Sequence, residues 1–392
     1  MTPRRTLLVA ALVAAALGGT AHGVPGSRWE PGPRIDVADF HEILAPHGDW
    51  LAVVPWGLVW TPSDIEPGWR PYTHGRWTFT HLGWTWVSSW EWGWAPFHYG
   101  RWSYHRTHGW IWIPGRVWAP GWVAWRSGDD WVGWAPLPPQ ARWRVGHGLE
   151  LEGDLDALIP VHGWSFAGER DFVSPRVEEF LAPLPRNGWL VRQTENVTRY
   201  AEEGREVAVY GPDRRKVERS AGTVEVSRVR EVSRPPTWSQ LADPGTVHVY
   251  RPEVADAKPR PKPADAAPPG KPSAGDVERR RARELRRIED WAKEQQRELD
   301  RQERQERGKP PAAEAPASVE LRRQEEREAL AREVAREKEL LEGRLEREVR
   351  NKGAEKKPPE RRPPAPGQPS AEVLARDYAA HLTAVRRKHL PR

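Results

Sequence analysis

His105 and His108 stand three residues apart, a spacing that lets two imidazoles share a metal ion. Glu91 with Asp129 or Asp130 is the carboxylate pair from which a glycosidase would have to be assembled. Neither grouping gathers support from its surroundings. No carboxylate spacing offers the histidines a third ligand, and nothing ties Glu91 to the aspartates. Asp49, Asp64 and Glu66 are the other acidic residues of the region. The chain contains no Gly-x-Ser-x-Gly elbow, phosphate-binding loop, dinucleotide fingerprint or His-Glu-x-x-His. It has 0 Cys, which removes thiolate nucleophiles, disulfides and Cys-ligated metals. The expectation is a protein that is not an enzyme, with no metal site and no cofactor.

What remains is the chemistry of flat rings. The 392 residues include 24 Trp, and 19 of these fall between Trp50 and Trp143. Indole rings stack on the apolar faces of sugars or on bases, and hold cations. Trp90, Trp92, Trp94, Trp110 and Trp112 are the candidate glycan-stacking residues, for a cell-wall or surface polysaccharide such as peptidoglycan or an exopolysaccharide. The competing use is structural. Residues 47–145 carry only 15 Ile, Leu and Val, too few for an aliphatic core, so Trp has to serve as core material. Each buried ring removes about 150–250 Å² from water, and each indole N–H then needs a backbone carbonyl. The same residues contain no Lys, and their eight Arg often adjoin Trp, as in Arg76-Trp77, Arg101-Trp102 and Trp125-Arg126. Guanidinium stacks on aromatic faces better than ammonium does, and this serves either use.

The elements that position the rings read as short strands. Gly68-Trp-Arg-Pro-Tyr-Thr-His-Gly-Arg-Trp77 aligns with Gly93-Trp-Ala-Pro-Phe-His-Tyr-Gly-Arg-Trp102, and Gly133-Trp-Ala-Pro-Leu-Pro138 restarts the phrase. Gly83-Trp-Thr-Trp-Val87 aligns with Gly109-Trp-Ile-Trp-Ile113. One unit has been used at least twice. Alternation places Trp110 and Trp112 on one strand face, and the same period runs through Trp90, Trp92 and Trp94. The Gly before each Arg-Trp marks a turn or bulge, and Pro71, Pro96, Pro114 and Pro136 belong at strand ends or edges.

These phrases resemble the exported, Trp-rich bacterial proteins of unknown function that carry a Tyr-x-Trp-x-Gly-x-Trp type repeat. Val207-Ala-Val-Tyr-Gly-Pro-Asp213 and His248-Val-Tyr-Arg-Pro252 are similar to the downstream region of that family. The likeness spans residues 46–254. It implies export and an envelope setting, and it brings no established activity or site residues.

The fold expected is mainly β: a Trp-cored antiparallel repeat domain over 46–145, a small β module over 146–254, and a largely disordered or helical charged tail. Residues 1–23 read as a signal peptide, with a basic start, an apolar run from Leu7 to Leu17 and small residues before a cleavage after Gly23. The apolar run is too short to span a bilayer. The expected location is exported, periplasmic or extracellular. Residues 255–275 and 353–369 are Pro-rich linkers. Between them, 276–352 holds charged helices with a Pro/Ala break at 308–317, supported by Glu-to-base pairs such as Glu289/Lys293 and Glu328/Arg332. These are expected to be single and solvent-exposed, with a thin stripe of Leu330, Val334, Leu341 and Leu345 offering a weak coiled coil. Balanced charge argues against nucleic acid, so envelope proteins are the partners expected for this tail. Residues 370–392 form a short helix with a basic end. The leading function is an envelope or surface interaction protein, and the alternative is a carbohydrate-binding module.

Overall fold

The computed structural model describes residues 34–128, 130–255, 274–308 and 316–354. The expected signal segment and C-terminal helix lie outside the described residues, as do nearly all of the two linkers.

A short strand β1 (Arg34–Asp36) leads into α1 (Val37–Leu44). Asp36 caps this helix by accepting from the amides of Ala38 and Asp39, while Asp39 returns a bond to the Asp36 amide. Four antiparallel hairpins follow: β2 (Gly48–Val53) with β3 (Gly57–Pro62), β4 (Gly75–Thr80) with β5 (Gly83–Ser88), β6 (Arg101–His105) with β7 (Gly109–Ile113), and β8 (Val123–Gly128) with β9 (Trp131–Pro136). In each, one Trp stands directly opposite another: Trp50 and Trp60, Trp77 and Trp86, Trp102 and Trp112, Trp125 and Trp134. Residues opposed across a ladder share a face, so each hairpin delivers a pair of indoles to one side. The repeat therefore runs to four hairpins.

Downstream come β10 (Ala141–Arg144) and β11 (Gly148–Leu151), α2 (Leu155–Leu158), β12 (Ser165–Gly168), α3 (Asn187–Gln193), β13 (Thr194–Asn196), β14 (Arg199–Glu203) and β15 (Glu206–Tyr210). They are followed by α4 (Arg214–Ala221), β16 (Arg228–Glu231), α5 (Trp238–Leu241), β17 (Thr246–Val249) and β18 (Glu253–Ala255). Several of these strands join the hairpins. The four-stranded sheets have the orders β2-β3-β7-β6, β14-β15-β5-β4 and β12-β9-β8-β13. Residues beyond 145 thus supply edge strands to the Trp hairpins, whose own edges would otherwise leave unpaired amides. β18 pairs in parallel with β1, Arg34 opposite Glu253.

The core is aromatic. Trp60, Trp77, Trp84, Trp86, Trp102, Trp112, Trp122, Trp125, Trp134 and Trp164 are all fully buried. Many indole N–H groups find carbonyls as expected: Trp60 donates to Leu44, Trp84 to Pro212, Trp102 to Pro96, Trp112 to Tyr99 and Trp134 to Tyr72. Those of Trp77, Trp86 and Trp125 find none and are enclosed among rings. Tyr72 and Phe97, equivalent positions of the repeated phrase, pack 5.0 Å apart. The Gly of that phrase has a steric duty. Gly75 and Gly100 have φ of +148° and +70°, and a Cβ on either would lie 2.2 Å from the carbonyl oxygen of Val87 or Ile113.

The charged tail forms two long helices, α6 (Ala274–Gly308) and α7 (Pro316–Ala354). They are not solitary. Ile288 is buried with Leu341 and Leu345, and Leu285 and Val334 pack beside them. The cross-helix ion pairs Arg281–Glu342 and Arg322–Glu306 advance on one helix as they retreat on the other, which makes the pair antiparallel. Of the expected stripe, Val334, Leu341 and Leu345 pack against Ile288 and Leu285 of α6, and Leu330 is not in that cluster. Among the described residues, no helix is long and apolar enough to cross a membrane.

Candidate functional site

The five Trp selected from sequence do not form an open face. Trp92 is 5 % exposed, Trp94 6 %, Trp110 7 % and Trp112 0 %, and Trp90 is half-buried. Trp90, Trp92 and Trp94 are not on a strand: Glu91–Trp94 is one turn of 3-10 helix. Gly93 lets that turn lie close on Ser88, whose Oγ would be 2.3 Å from a Cβ there, and Trp90 stacks on Trp92 at 5.4 Å. Trp94 meets Tyr250 edge-on at 4.7 Å. Trp90 and Trp94 line a cleft of about 30 Å³, room for about one water molecule. Trp110 and Trp112 share a strand as expected, but both are walled in. Glu91 lies in the 3-10 turn between the second and third hairpins and Asp130 in the turn of the fourth, and Asp129 lies outside the described residues. His105 and His108 stack at 4.6 Å, and no group of three or more metal-ligating side chains occurs among the described residues.

A larger site lies where α6 and α7 cross the Trp hairpins. A cavity of about 600 Å³ is bounded by the ends of β2 and β3, the loop Ser63–Arg70, the β6–β7 turn, His162 and one face of each long helix. This volume falls within the ~300–1,000 Å³ range of small-molecule sites.

On the floor, Tyr104 opposes Trp110 across the β6–β7 ladder, and their rings meet edge-on at 5.4 Å. Tyr104 also meets His162 at 4.4 Å. Trp69, from the first repeated phrase, packs against Trp102 at 5.7 Å and lines the same space. The roof is charged. Arg336 of α7 lies 5.6 Å over the Tyr104 ring. Glu337 accepts from the Gly68 amide at 3.0 Å, and burial pushes its carboxyl up. Trp291 of α6 rests on Gly68, 2.6 Å from where a Cβ there would sit. Arg70 is buried, with Nε donating to Ser165 Oγ at 2.9 Å and Nη1 to Gly68 O at 3.1 Å. Desolvation lowers Arg70 to about 10, against the pull of Glu333.

Both imidazoles are held uncharged. Burial lowers His162 to about 3, with Arg336 and Arg70 adding to it, and lowers His108 to about 4, helped by Arg347 and then by His105. The site thus offers ring faces and neutral hydrogen-bonding groups, ringed by acids and bases that answer one another. Sequence reading missed it because its walls come from segments far apart in the chain. The one local signal was the Tyr104-x-x-x-His108-x-Trp110 turn, in which the sequence pointed to Trp110 for glycan stacking and to His108, with His105, for metal spacing.

The roof is fastened mainly by charge. Arg186, 2 % exposed, donates to Glu326 at 2.9 Å and to Glu306 at 2.9 Å. Arg192 pairs with Glu325 at 2.6 Å, Arg287 with Glu66 at 2.8 Å and Arg106 with Glu339 at 3.3 Å. The apolar cluster of the helices is separate from that of the hairpins.

A family described as a family of unknown function, DUF6600, matches residues 41–141, the span of the four Trp hairpins. No curated protein and no solved structure matches the chain.

Proposed function

We propose that the chain is an exported, non-catalytic interaction protein of the bacterial cell envelope, in which a rigid Trp-cored platform carries a charged helical arm. The observation that supports this is the way α6 and α7 are attached. They hold their own apolar seam, they meet the platform through ion pairs, and their outer faces expose alternating Glu and Arg. Interfaces of this polar kind resemble transient ones more than cores. The repeated phrases and the basic-then-apolar start of the chain support export. The test has two parts. The mature chain purified from a bacterial host should begin at Val24 and fractionate outside the cytoplasm. Photo-cross-linkers at Glu328 and Arg332 should then trap a defined envelope protein, and charge reversal on α7 should abolish the product. A cytoplasmic chain that retains Met1, or cross-links indifferent to charge reversal, would overturn the proposal.

The cavity beneath the arm favours a second reading, recognition of a cell-wall or surface polysaccharide, since its floor joins aromatic rings to neutral hydrogen-bonding groups.

A further inference from the structure

Polar atoms beneath α7 are covered without being answered. Trp69 Nε1, Tyr104 Oη, His108 Nδ1 and His162 Nε2 have no hydrogen-bond partner and are shielded from solvent, and Trp50 Nε1 at the cavity edge is in the same condition. Buried polar groups are nearly always paired, so a cluster of exceptions around one cavity calls for a cause. The covering side chains do not bond these atoms. Arg336 lies over the Tyr104 ring, Glu337 is engaged with Gly68, and Arg347 bonds the Thr107 carbonyl. The helix closes this floor without completing it. Its exposed fastenings, Arg192–Glu325 and Arg106–Glu339, are the kind that salt weakens, whereas Arg186–Glu326 is buried, and its apolar seam is made with α6 and not with the floor.

We infer that the Tyr104–His162–Trp69 floor is a binding site for a neutral saccharide unit, and that α7 is its displaceable cover. A sugar ring presents one apolar face to indole and a rim of hydroxyls that both donate and accept. That rim matches a phenol, two imidazole nitrogens and an indole N–H better than any single-charge ligand would. Ionic ligands are disfavoured, because the acids and bases lining the cavity already oppose one another. The inference rests on the second reading above and places it at a site that shares only Trp110 with the five Trp chosen from sequence.

The test uses the full chain with two probes, the tetrasaccharide of N-acetylglucosamine and cellotetraose, titrated calorimetrically at low and high salt. Binding is expected to tighten with added salt, and Tyr104→Phe and His162→Phe are each expected to weaken it at least tenfold without lowering Tm. As neither Tyr104 Oη nor His162 Nε2 has a hydrogen-bond partner, a purely structural role predicts no change in affinity. A variant that must not disturb the floor provides a second arm: Arg106→Cys with Glu339→Cys, joined by a cleavable bis-maleimide, in a chain with 0 Cys of its own. Cross-linking should abolish binding, and cleavage should restore it. If Tyr104→Phe and His162→Phe bind as tightly as the parent, or the cross-linked cover makes no difference, the site is wrong although polysaccharide recognition stands. If neither probe nor isolated peptidoglycan binds under any condition, both fall.

Discussion

Trp77 and Trp125 lie 4.5 Å apart, centroid to centroid, at an interplanar angle of 60°. They belong to different hairpins and different sheets, so this contact joins the two sheets that enclose Phe172, which lies against both rings. Replacing Trp77 with Ala should cost about 3–5 kcal/mol, as expected of a large ring deleted from a packed core. Trp238→Ala, at a ring 60 % exposed, should cost less than about 0.5 kcal/mol. Urea unfolding of both variants checks the contrast, and a mild effect at Trp77 would mean that the rings are not the core.

Arg101 is the second residue of the repeated Gly-Arg-Trp phrase, yet it does not stack on its neighbour. Its guanidinium sits 3.7 Å over Trp122, while Nε donates to Ala141 O at 2.7 Å. Arg101→Lys keeps the charge and loses the planar fork. It should destabilise by about 1–2 kcal/mol, read from the same denaturation curves.

Gly100→Ala meets both a left-handed φ and a carbonyl oxygen in the way of its Cβ. The loss should exceed about 2 kcal/mol. Gly146→Ala shares the positive φ of +77° but meets nothing within 4 Å, and should cost only about 1 kcal/mol. The difference between the two, measured by thermal unfolding, isolates the close approach.

These residues show what the sequence made legible. Strand period, Gly turns and Trp density disclosed the hairpins and the aromatic core, because those are local signals. The first and last hairpins were harder to see as members of the repeat: Asp49 stands before Trp50 where the middle pair has Arg, and Val123-Ala124 stands before Trp125 where the middle pair has Gly-Arg. Which Trp would be exposed was not legible at all. Burial of Trp92 or Trp112 depends on Phe40, Phe97 and Trp60, which arrive from other turns of the fold. The docking of α6 and α7 was hidden for the same reason, since Arg186 and Glu326 are 140 residues apart.

His98 provides an acid-sensitive point away from the cavity. It is half-buried, stacks on Trp118 at 5.4 Å and bonds the Ala119 carbonyl. Burial lowers it from 6.5 to about 4, against that bond, which pulls upward. Between these values the unfolded chain binds the proton that the folded chain refuses, so stability falls as pH drops. His98→Asn keeps a donor for Ala119 and removes the titration. The stability of the parent relative to this variant should decline by about 3 kcal/mol between neutral pH and pH 4. A difference that does not change with pH would sink the assignment.

Docking of the arm should depend on one ion pair far more than on another. Glu326→Ala leaves Arg186 buried with half its partners and should weaken docking by about 1–3 kcal/mol. Glu325→Ala removes only the exposed pair with Arg192 and should cost at most about 1 kcal/mol. Hydrogen exchange along α7 reports both, with protection lost in the first variant and kept in the second.

The parallel pairing of Arg34–Asp36 with Glu253–Ala255 has a consequence for order in time. The first strand of the platform finds its neighbour only when a residue 219 positions later has been made, since Arg34 faces Glu253. Each Trp hairpin closes over a few residues and can form as it emerges, whereas this closure spans nearly the whole platform, and long-range contacts form late. The clasp therefore acts as a completion mark. Any truncation before Glu253 leaves β1 without its neighbour, however well the four hairpins have formed.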